Sequence, residues 1–327
     1  ALVARCGEAS VPMPGGCAFG PRPVDRHIAA MRSLGVIVDE DEGVFHVRRP
    51  VRLEGRVVFE APTVGGTQNV LLAAALADGE VVIENAALEP EVPDLANMLN
   101  AMGARVEGAG TRTITVRGVR KLAGVTYRPI PDRIEAGTYM LAAAATRGRV
   151  TLTDVEPAHL TAVIDAMRDA GVQVTTGDGE LTVDATRAEP RPVDVTAAEY
   201  PGVPTDLQAP FSAFLATVPG LSSLNDTVYP DRFTHVEELS RTGADLRLVD
   251  RTLEVRGGAL KGAAMHAADI RAGSALVIAA LAANGTSEIG GLRFIDRGYE
   301  SLTDRLVALG ADVTRQGAAE RAAAYGD

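Results

Sequence analysis

Five glycines punctuate this chain at nearly equal spacing. They sit in LGVIV, MGARV, AGVQV, TGADL and LGADV at positions 35, 103, 171, 243 and 310, so the intervals are 68, 68, 72 and 67 residues. A glycine that follows an apolar helical pattern and precedes a short apolar run marks a helix C-terminus followed by a strand. Recurrence at a fixed period means one supersecondary unit used several times. Each unit reads as a loop, an apolar helix, a strand, a second helix, the glycine and two strands. Residues 63–117 show it in full: TVGGTQNVLLAAALADG as helix, EVVIEN as strand, EVPDLANMLNAMG as helix, then ARVEG and RTITVRG as strands. Four complete units begin near residues 57, 126, 191 and 259, and residues 1–52 read as the second half of another. That opening predicts that the natural protein continues upstream by at least half a unit; a divergent first strand pair is the alternative.

Repeated α-β-α-β-β units need many small, close-packed side chains. The composition supplies them, with 46% apolar residues, 4% aromatics and no tryptophan. At 327 residues, two domains are expected. The net charge of −11 is spread along the chain without a basic block. It argues against nucleic acid or an anionic membrane surface as the main partner, and leaves small anionic ligands open. Cys6 and Cys17 form no disulfide framework and no CxxC motif, which fits a reducing cytoplasm. LLAAALA and ALVIAALAA are too short to span a bilayer and read as buried helices. GxGxxG, the phosphate-loop lysine motif and HExxH are missing and the histidines are dispersed, so neither a metal nor a cofactor is expected.

The repeat also sorts the polar residues. Asp132, Asp206 and Asp269 lie 39, 37 and 41 residues before their unit's glycine, ahead of the first helix. Arg22, Arg232 and Arg297 lie 13, 11 and 13 residues before theirs, ahead of the second helix. Carboxylates in one set of loops and arginines in the other suit a site with internal symmetry for an anionic ligand. Helix caps paired with arginines are the plainer reading. In PGGCAFGPRPVD, Cys17 and Arg22 stand in a loop rich in glycine and proline, just before a helix in which Pro23 suits the first turn. A thiol beside an arginine and a helix N-terminus has a lowered pKa, and a carboxylate such as Asp206 accepts a proton from a hydroxyl. Residues alone support acid–base or covalent catalysis on an anionic substrate; a structural cysteine is the alternative for Cys17.

PGGCAFGPRPVDRHI, PDRIEAGTY, PTDLQAPF, DRFTHVEELSRTGAD, ADIRAGSALVIAALAANGT and IDRGYESLTDRLVALGADV resemble the enolpyruvyl transferases. Within them they resemble the UDP-N-acetylglucosamine 1-carboxyvinyltransferases, along essentially the whole chain. The shikimate-pathway branch shares the fold but lacks the cysteine loop. The resemblance implies a two-domain inside-out α/β barrel, divided at 1–128 and 129–327, with the first domain incomplete and ligands held between the domains. It implies transfer of the enolpyruvyl group of phosphoenolpyruvate to UDP-N-acetylglucosamine, releasing phosphate, the first committed step of peptidoglycan synthesis; a shikimate-pathway transferase or a catalytically silent nucleotide-sugar-binding fragment is the alternative. Cys17 would be the general acid and the residue alkylated by fosfomycin, and Asp206 the base near the attacking hydroxyl. Arg22 and Arg297 would hold phosphoenolpyruvate, with Arg271 and Asp269 beside them. Arg22, Pro23, Val24, Asp25, Thr63, Val64, Gly65, Asp206 and Val228 would line the nucleotide-sugar. Two departures stand out. The family begins about one and a half units earlier, in a part that carries a lysine–asparagine pair and a further arginine. Ala61 also stands where many relatives have a lysine. Finally, DEDEG at 39–43 reads as a charged hairpin turn, and QGAAERAAAYGD as a frayed terminal helix.

Overall fold

The computed structural model describes residues 2–13 and 24–316. The terminal QGAAERAAAYGD segment beyond 316, Cys17, Arg22 and Pro23 lie outside the described residues. The chain opens with α1 (Leu2–Cys6), β1 (Glu8–Pro12), α2 (Asp25–Ser33), β2 (Ile37–Asp41) and β3 (Val44–Arg48). Next come β4 (Gly55–Val58), α3 (Val64–Ala74), β5 (Glu80–Glu84), α4 (Glu91–Ala101), β6 (Arg105–Glu107) and β7 (Thr113–Arg117). The third unit holds α5 (Arg133–Ala145), β8 (Arg149–Thr153), α6 (Thr161–Asp169), β9 (Gln173–Gly177) and β10 (Glu180–Asp184). The fourth holds β11 (Asp194–Ala197), α7 (Gln208–Leu215), β12 (Gly220–Asp226), α8 (His235–Ser240), β13 (Asp245–Val249) and β14 (Thr252–Gly257). The last holds β15 (Ala264–His266), α9 (Ile270–Ala282), β16 (Glu288–Gly290), α10 (Leu292–Ile295) and α11 (Leu302–Ala308).

All five repeat glycines have positive φ, between 80° and 98°, the left-handed conformation that glycine adopts without penalty. Four of them close the same hydrogen-bonded stop. Val36, Ala104, Val172 and Ala311 donate their N–H back to the carbonyls of Met31, Leu99, Met167 and Leu306. Strands follow Gly35, Gly103, Gly171 and Gly243 as expected. None follows Gly310 among the described residues, and the expected last hairpin is not formed there. The DEDEG segment forms the expected hairpin: Asp39, Glu40 and Asp41 end β2, Glu42 and Gly43 make the turn, and β3 pairs antiparallel with β2 beyond it.

The unit has one element more than its sequence period reveals. A short strand precedes the first helix: β4 pairs parallel with β5, β11 with β12 and β15 with β16. These strands lie in stretches that read as loop, because three or four residues are too few to show a period. The two complete sheets have the same order, β4-β5-β7-β6 and β11-β12-β14-β13. Sheets β1-β3-β2 and β8-β10-β9 repeat it without the first strand. The architecture is therefore mixed α/β with several open sheets, and no sheet of described residues closes into a barrel.

Nearly every residue of α5 and all of α7 are buried, and α5, α7 and α9 pack on one another. Burying a side chain such as Met140 or Leu141 contributes about 1.5–3 kcal/mol. The buried apolar side chains form two clusters, one drawn from residues 3–116 and one from 134–299. Gly137 fixes how closely the segment before α7 approaches α5. A Cβ there would lie 2.4 Å from Leu207 Cδ1, so a larger residue would have to displace that buried side chain.

Candidate active site

The three equivalent aspartates have different occupations. Asp132 caps α5, accepting from the N–H groups of Ile134 and Glu135 at 2.8 and 3.1 Å. Asp269 caps α9, accepting from Arg271 and Ala272 at 2.8 and 3.0 Å, and its other oxygen accepts from Thr234 Oγ1 at 3.2 Å. Both do what the plainer reading expects. Asp206 does not cap. Pro204, in extended conformation, leads into a 3₁₀ turn at Thr205–Leu207, and Leu207 is fully buried against α5. The carboxylate is turned instead to two arginines: Arg232 Nη1 donates to Oδ1 at 2.6 Å and Arg271 Nη2 to Oδ2 at 2.9 Å. Burial opposes the charge of Asp206, but Arg271 and Arg232 outweigh it and hold its pKa below the ordinary carboxylate value. Arg271 is raised by the same pairing, against its own burial.

Each arginine is fixed from behind. Arg232 lies over the Tyr229 ring at 5.8 Å from its centroid, and Arg271 over Tyr299 at the same distance. Asp226, 1% exposed, accepts from Thr205 Oγ1 at 2.5 Å and from the N–H groups of Val228 and Tyr229 at 2.9 and 2.8 Å. Val228 therefore joins this cluster through the Asp226 turn. His235, 2% exposed, faces Arg232 and Asp269, and burial pushes its pKa down to about 4. Arg297 is exposed, two residues before Tyr299, and makes no ion pair with a described residue.

The residues expected to line the nucleotide-sugar form a second group. Val24 caps α2 and Asp25 is its first residue. Thr63 caps α3, its Oγ1 accepting from Gly66 N–H at 3.2 Å, and Val64 and Gly65 form the first turn. These two helix starts are neighbours. Arg26 Nη1 donates to the Pro62 carbonyl at 3.4 Å, and a Cβ on Gly65 would meet His27 Cε1 at 3.3 Å. Adjacent helix N-termini suit an anion.

A contact that sequence reasoning missed joins the two halves of the chain. Arg133 Nε and Nη2 donate to Glu91 Oε1 and Oε2 at 2.9 and 3.3 Å, and the guanidinium lies 5.7 Å from the Tyr200 ring centroid. Tyr200 N–H donates to Glu89 Oε1 at 3.4 Å, and Gln68 Nε2 to the Glu91 carbonyl at 3.4 Å, which ties α3 to the same junction. One signal was present. Arg133 and Arg271 both fall in the first turn of a helix, where the backbone dipole disfavours a cation, so each needs a carboxylate from elsewhere. Among the described residues no group of three His, Cys, Asp or Glu side chains is placed to hold a metal, and no helix is long and apolar enough to cross a membrane.

Repeated units of this topology, with two arginines converging on one carboxylate that caps no helix, define a two-core α/β protein. The family model described as EPSP synthase (3-phosphoshikimate 1-carboxyvinyltransferase) matches residues 1–306. The protein from Thermus thermophilus called UDP-N-acetylglucosamine 1-carboxyvinyltransferase is 56% identical over 313 residues, 96% of this chain and 73% of the relative. Its namesake from Deinococcus radiodurans is 52% identical over 313 residues, 96% of this chain and 74% of the relative. Among solved structures, the enolpyruvyl transferase NikO from Streptomyces tendae superimposes with a TM-score of 0.83 at 27% identity, covering 95% of this chain and 74% of that one. EPSP synthase from Acinetobacter baumannii shares the fold, with a TM-score of 0.69 at 20% identity over 94% of this chain and 75% of that one. The chain belongs to the EPSP synthase family of enolpyruvyl (carboxyvinyl) transferases.

Proposed function

We propose that this enzyme transfers the enolpyruvyl group of phosphoenolpyruvate to UDP-N-acetylglucosamine with release of inorganic phosphate, the committing step of peptidoglycan synthesis in the cytoplasm. The observation that carries the reading is Asp206, relieved of the capping duty of its two equivalents and held ionised by Arg232 and Arg271. The names borne by relatives at 52% and 56% identity supply the substrates.

Asp206 takes the proton of the attacking sugar hydroxyl, whose oxygen bonds to the substituted carbon of phosphoenolpyruvate. Cys17 supplies a proton to the methylene carbon in the same step. The adduct then gives that proton back and the carbon–oxygen bond to phosphate breaks. Arg22, Arg297 and Arg271 hold the carboxylate and phosphate of phosphoenolpyruvate, with Asp269 keeping Arg271 at the head of α9. Val24, Asp25, Thr63, Val64, Gly65 and Val228, with Arg22 and Pro23, line the nucleotide-sugar. Catalysis by a placed acid, a placed base and cationic clamps needs no metal.

For the fold we infer two inside-out domains divided near 128/129, with helices central and sheets outside. The two core clusters and the nearly complete burial of α5 and α7 support this reading. The Arg133–Glu91 pair would then span the domains. A shikimate 3-phosphate acceptor is the second reading, favoured by the description of the family model alone.

The test is phosphate release by the purified chain. Release that requires both phosphoenolpyruvate and UDP-N-acetylglucosamine is the expected result. Turnover of shikimate 3-phosphate with none of the nucleotide-sugar, or release from neither, overturns the proposal. Cys17→Ser is expected to abolish alkylation by fosfomycin, and alkylation that persists elsewhere removes Cys17 from its role.

A further inference from the structure

Tyr299 is 2% exposed and has no part in the chemistry above, yet its hydroxyl is the meeting point of three elements. It lies 2.9 Å from Thr138 Oγ1 on α5, and Arg271 Nη1 on α9 donates to it at 3.1 Å. Thr138 Oγ1 also donates to the Ile134 carbonyl at 2.8 Å. Each hydroxyl carries a single hydrogen, and a guanidinium only donates. One arrangement therefore makes all three bonds: Arg271 donates to Tyr299, Tyr299 donates to Thr138, and Thr138 donates to Ile134. The Tyr299 oxygen is thus held with its lone pairs toward Arg271.

Arg271 depends on that acceptor. Its buried Nε has no hydrogen-bond partner among the described residues, so among them its orientation rests on Tyr299 at Nη1, Asp206 at Nη2 and the Tyr299 ring. We propose that Tyr299, oriented by Thr138, is a positioning residue that holds the Arg271 guanidinium against the Asp206 carboxylate. The proposal rests on the reading of Asp206 as the base. It also gives α5, whose first residue Arg133 pairs with Glu91, a physical connection to that base through Ile134 and Thr138.

The groups that set the titration of Asp206 are Arg232 from the turn before α8 and Arg271 from α9. Asp269 and His235 stand behind them, Asp226 faces the site through Thr205, and Tyr139, with the Arg305–Glu135 pair beside it, neighbours Tyr299. Removing the Tyr299 oxygen frees Arg271 alone, so the attraction that keeps Asp206 ionised weakens and its titration moves up.

The test is Tyr299→Phe, which keeps the ring and removes only the oxygen. The Asp206 carboxyl is followed by carbon NMR in wild type and variant, alongside the pH profile of phosphate release. The midpoint of Asp206 is expected to rise by roughly half a unit or more, with kcat down roughly tenfold and KM for the nucleotide-sugar within about twofold. Thr138→Val is expected to move Asp206 in the same direction by less, and Thr138→Ser, which keeps the hydroxyl, to restore the wild-type midpoint. An Asp206 midpoint unmoved in Tyr299→Phe, whatever happens to its melting temperature, overturns the proposal. Should that variant fail to fold, Thr138→Val set against Thr138→Ser decides the same point. A wild-type chain that releases no phosphate would sink the functional reading, while the NMR midpoints would still decide the role of Tyr299.

Discussion

The unit spanning β4 to β7 and the unit spanning β11 to β14 have one sheet order and a left-handed glycine after the second helix, yet the starts of their first helices have diverged. In the former, Thr63 caps α3 in the ordinary way. In the latter, Asp206 stands at the same point of the unit, surrenders the cap and faces two arginines. Behind the second helix the contrast repeats. Eight residues before the glycine, one unit has the partly buried Leu95 and the other the fully buried His235. A repeated fold thus tolerates chemistry in one copy because an equivalent copy shows what the scaffold needs by itself. Strand pairing and the left-handed glycine are kept in both units; the cap is the part given up.

The sharpest way to break this comparison is to neutralise the equivalent carboxylates in turn. Asp206→Asn is expected to lower kcat for phosphate release about a thousandfold, the usual scale for loss of a placed base. Asp132→Asn should leave turnover nearly unchanged, because its side chain only accepts from backbone N–H groups. Equal losses in both variants would remove Asp206 from the role of base.

The His235 contrast predicts an acid-sensitive unit. Its folded pKa of about 4 lies below the ordinary 6.5, so below pH 6.5 the unfolded chain binds more protons than the folded one. The stability it contributes is complete above 6.5 and is lost as the pH falls toward 4, a total of about 3 kcal/mol. Urea melts across that window should show the slope in wild type and a flatter one in His235→Gln. A slope that persists assigns the acid sensitivity elsewhere.

The smallest effects test what the units share. Asp132→Ala should cost about 1 kcal/mol in urea unfolding through loss of the cap. Gly103→Ala and Gly243→Ala should each cost about 1 kcal/mol, by strain alone. A Cβ at either glycine meets nothing within 4 Å, so the two costs should match. Unequal costs would show that the two stops are not energetically equivalent.

Much of the fold is legible in the sequence. Helix C-termini can be read at Gly35, Gly103, Gly171, Gly243 and Gly310 because the left-handed turn is a local demand that one residue type meets. The first strand, present in three units as β4, β11 and β15, is hidden because three or four residues are too few to show a period. The Arg133–Glu91 junction is hidden because its partners lie 42 residues apart on different units, and no local pattern couples them. Of the candidate site, the equivalence of Asp132, Asp206 and Asp269 is visible as spacing. Their different roles are not.

What the sequence determined by itself is the repeat and the set of positions that a site could use. Helix stops, caps and tight hairpins such as β2–β3 depend on neighbours a few residues away. What only the tertiary structure decided is which carboxylate leaves its cap. Arg232 and Arg271 reach Asp206 from 26 and 65 residues further along the chain, on separate elements. The energy of such a pairing depends on distance and on burial, and neither is set until the units have packed together.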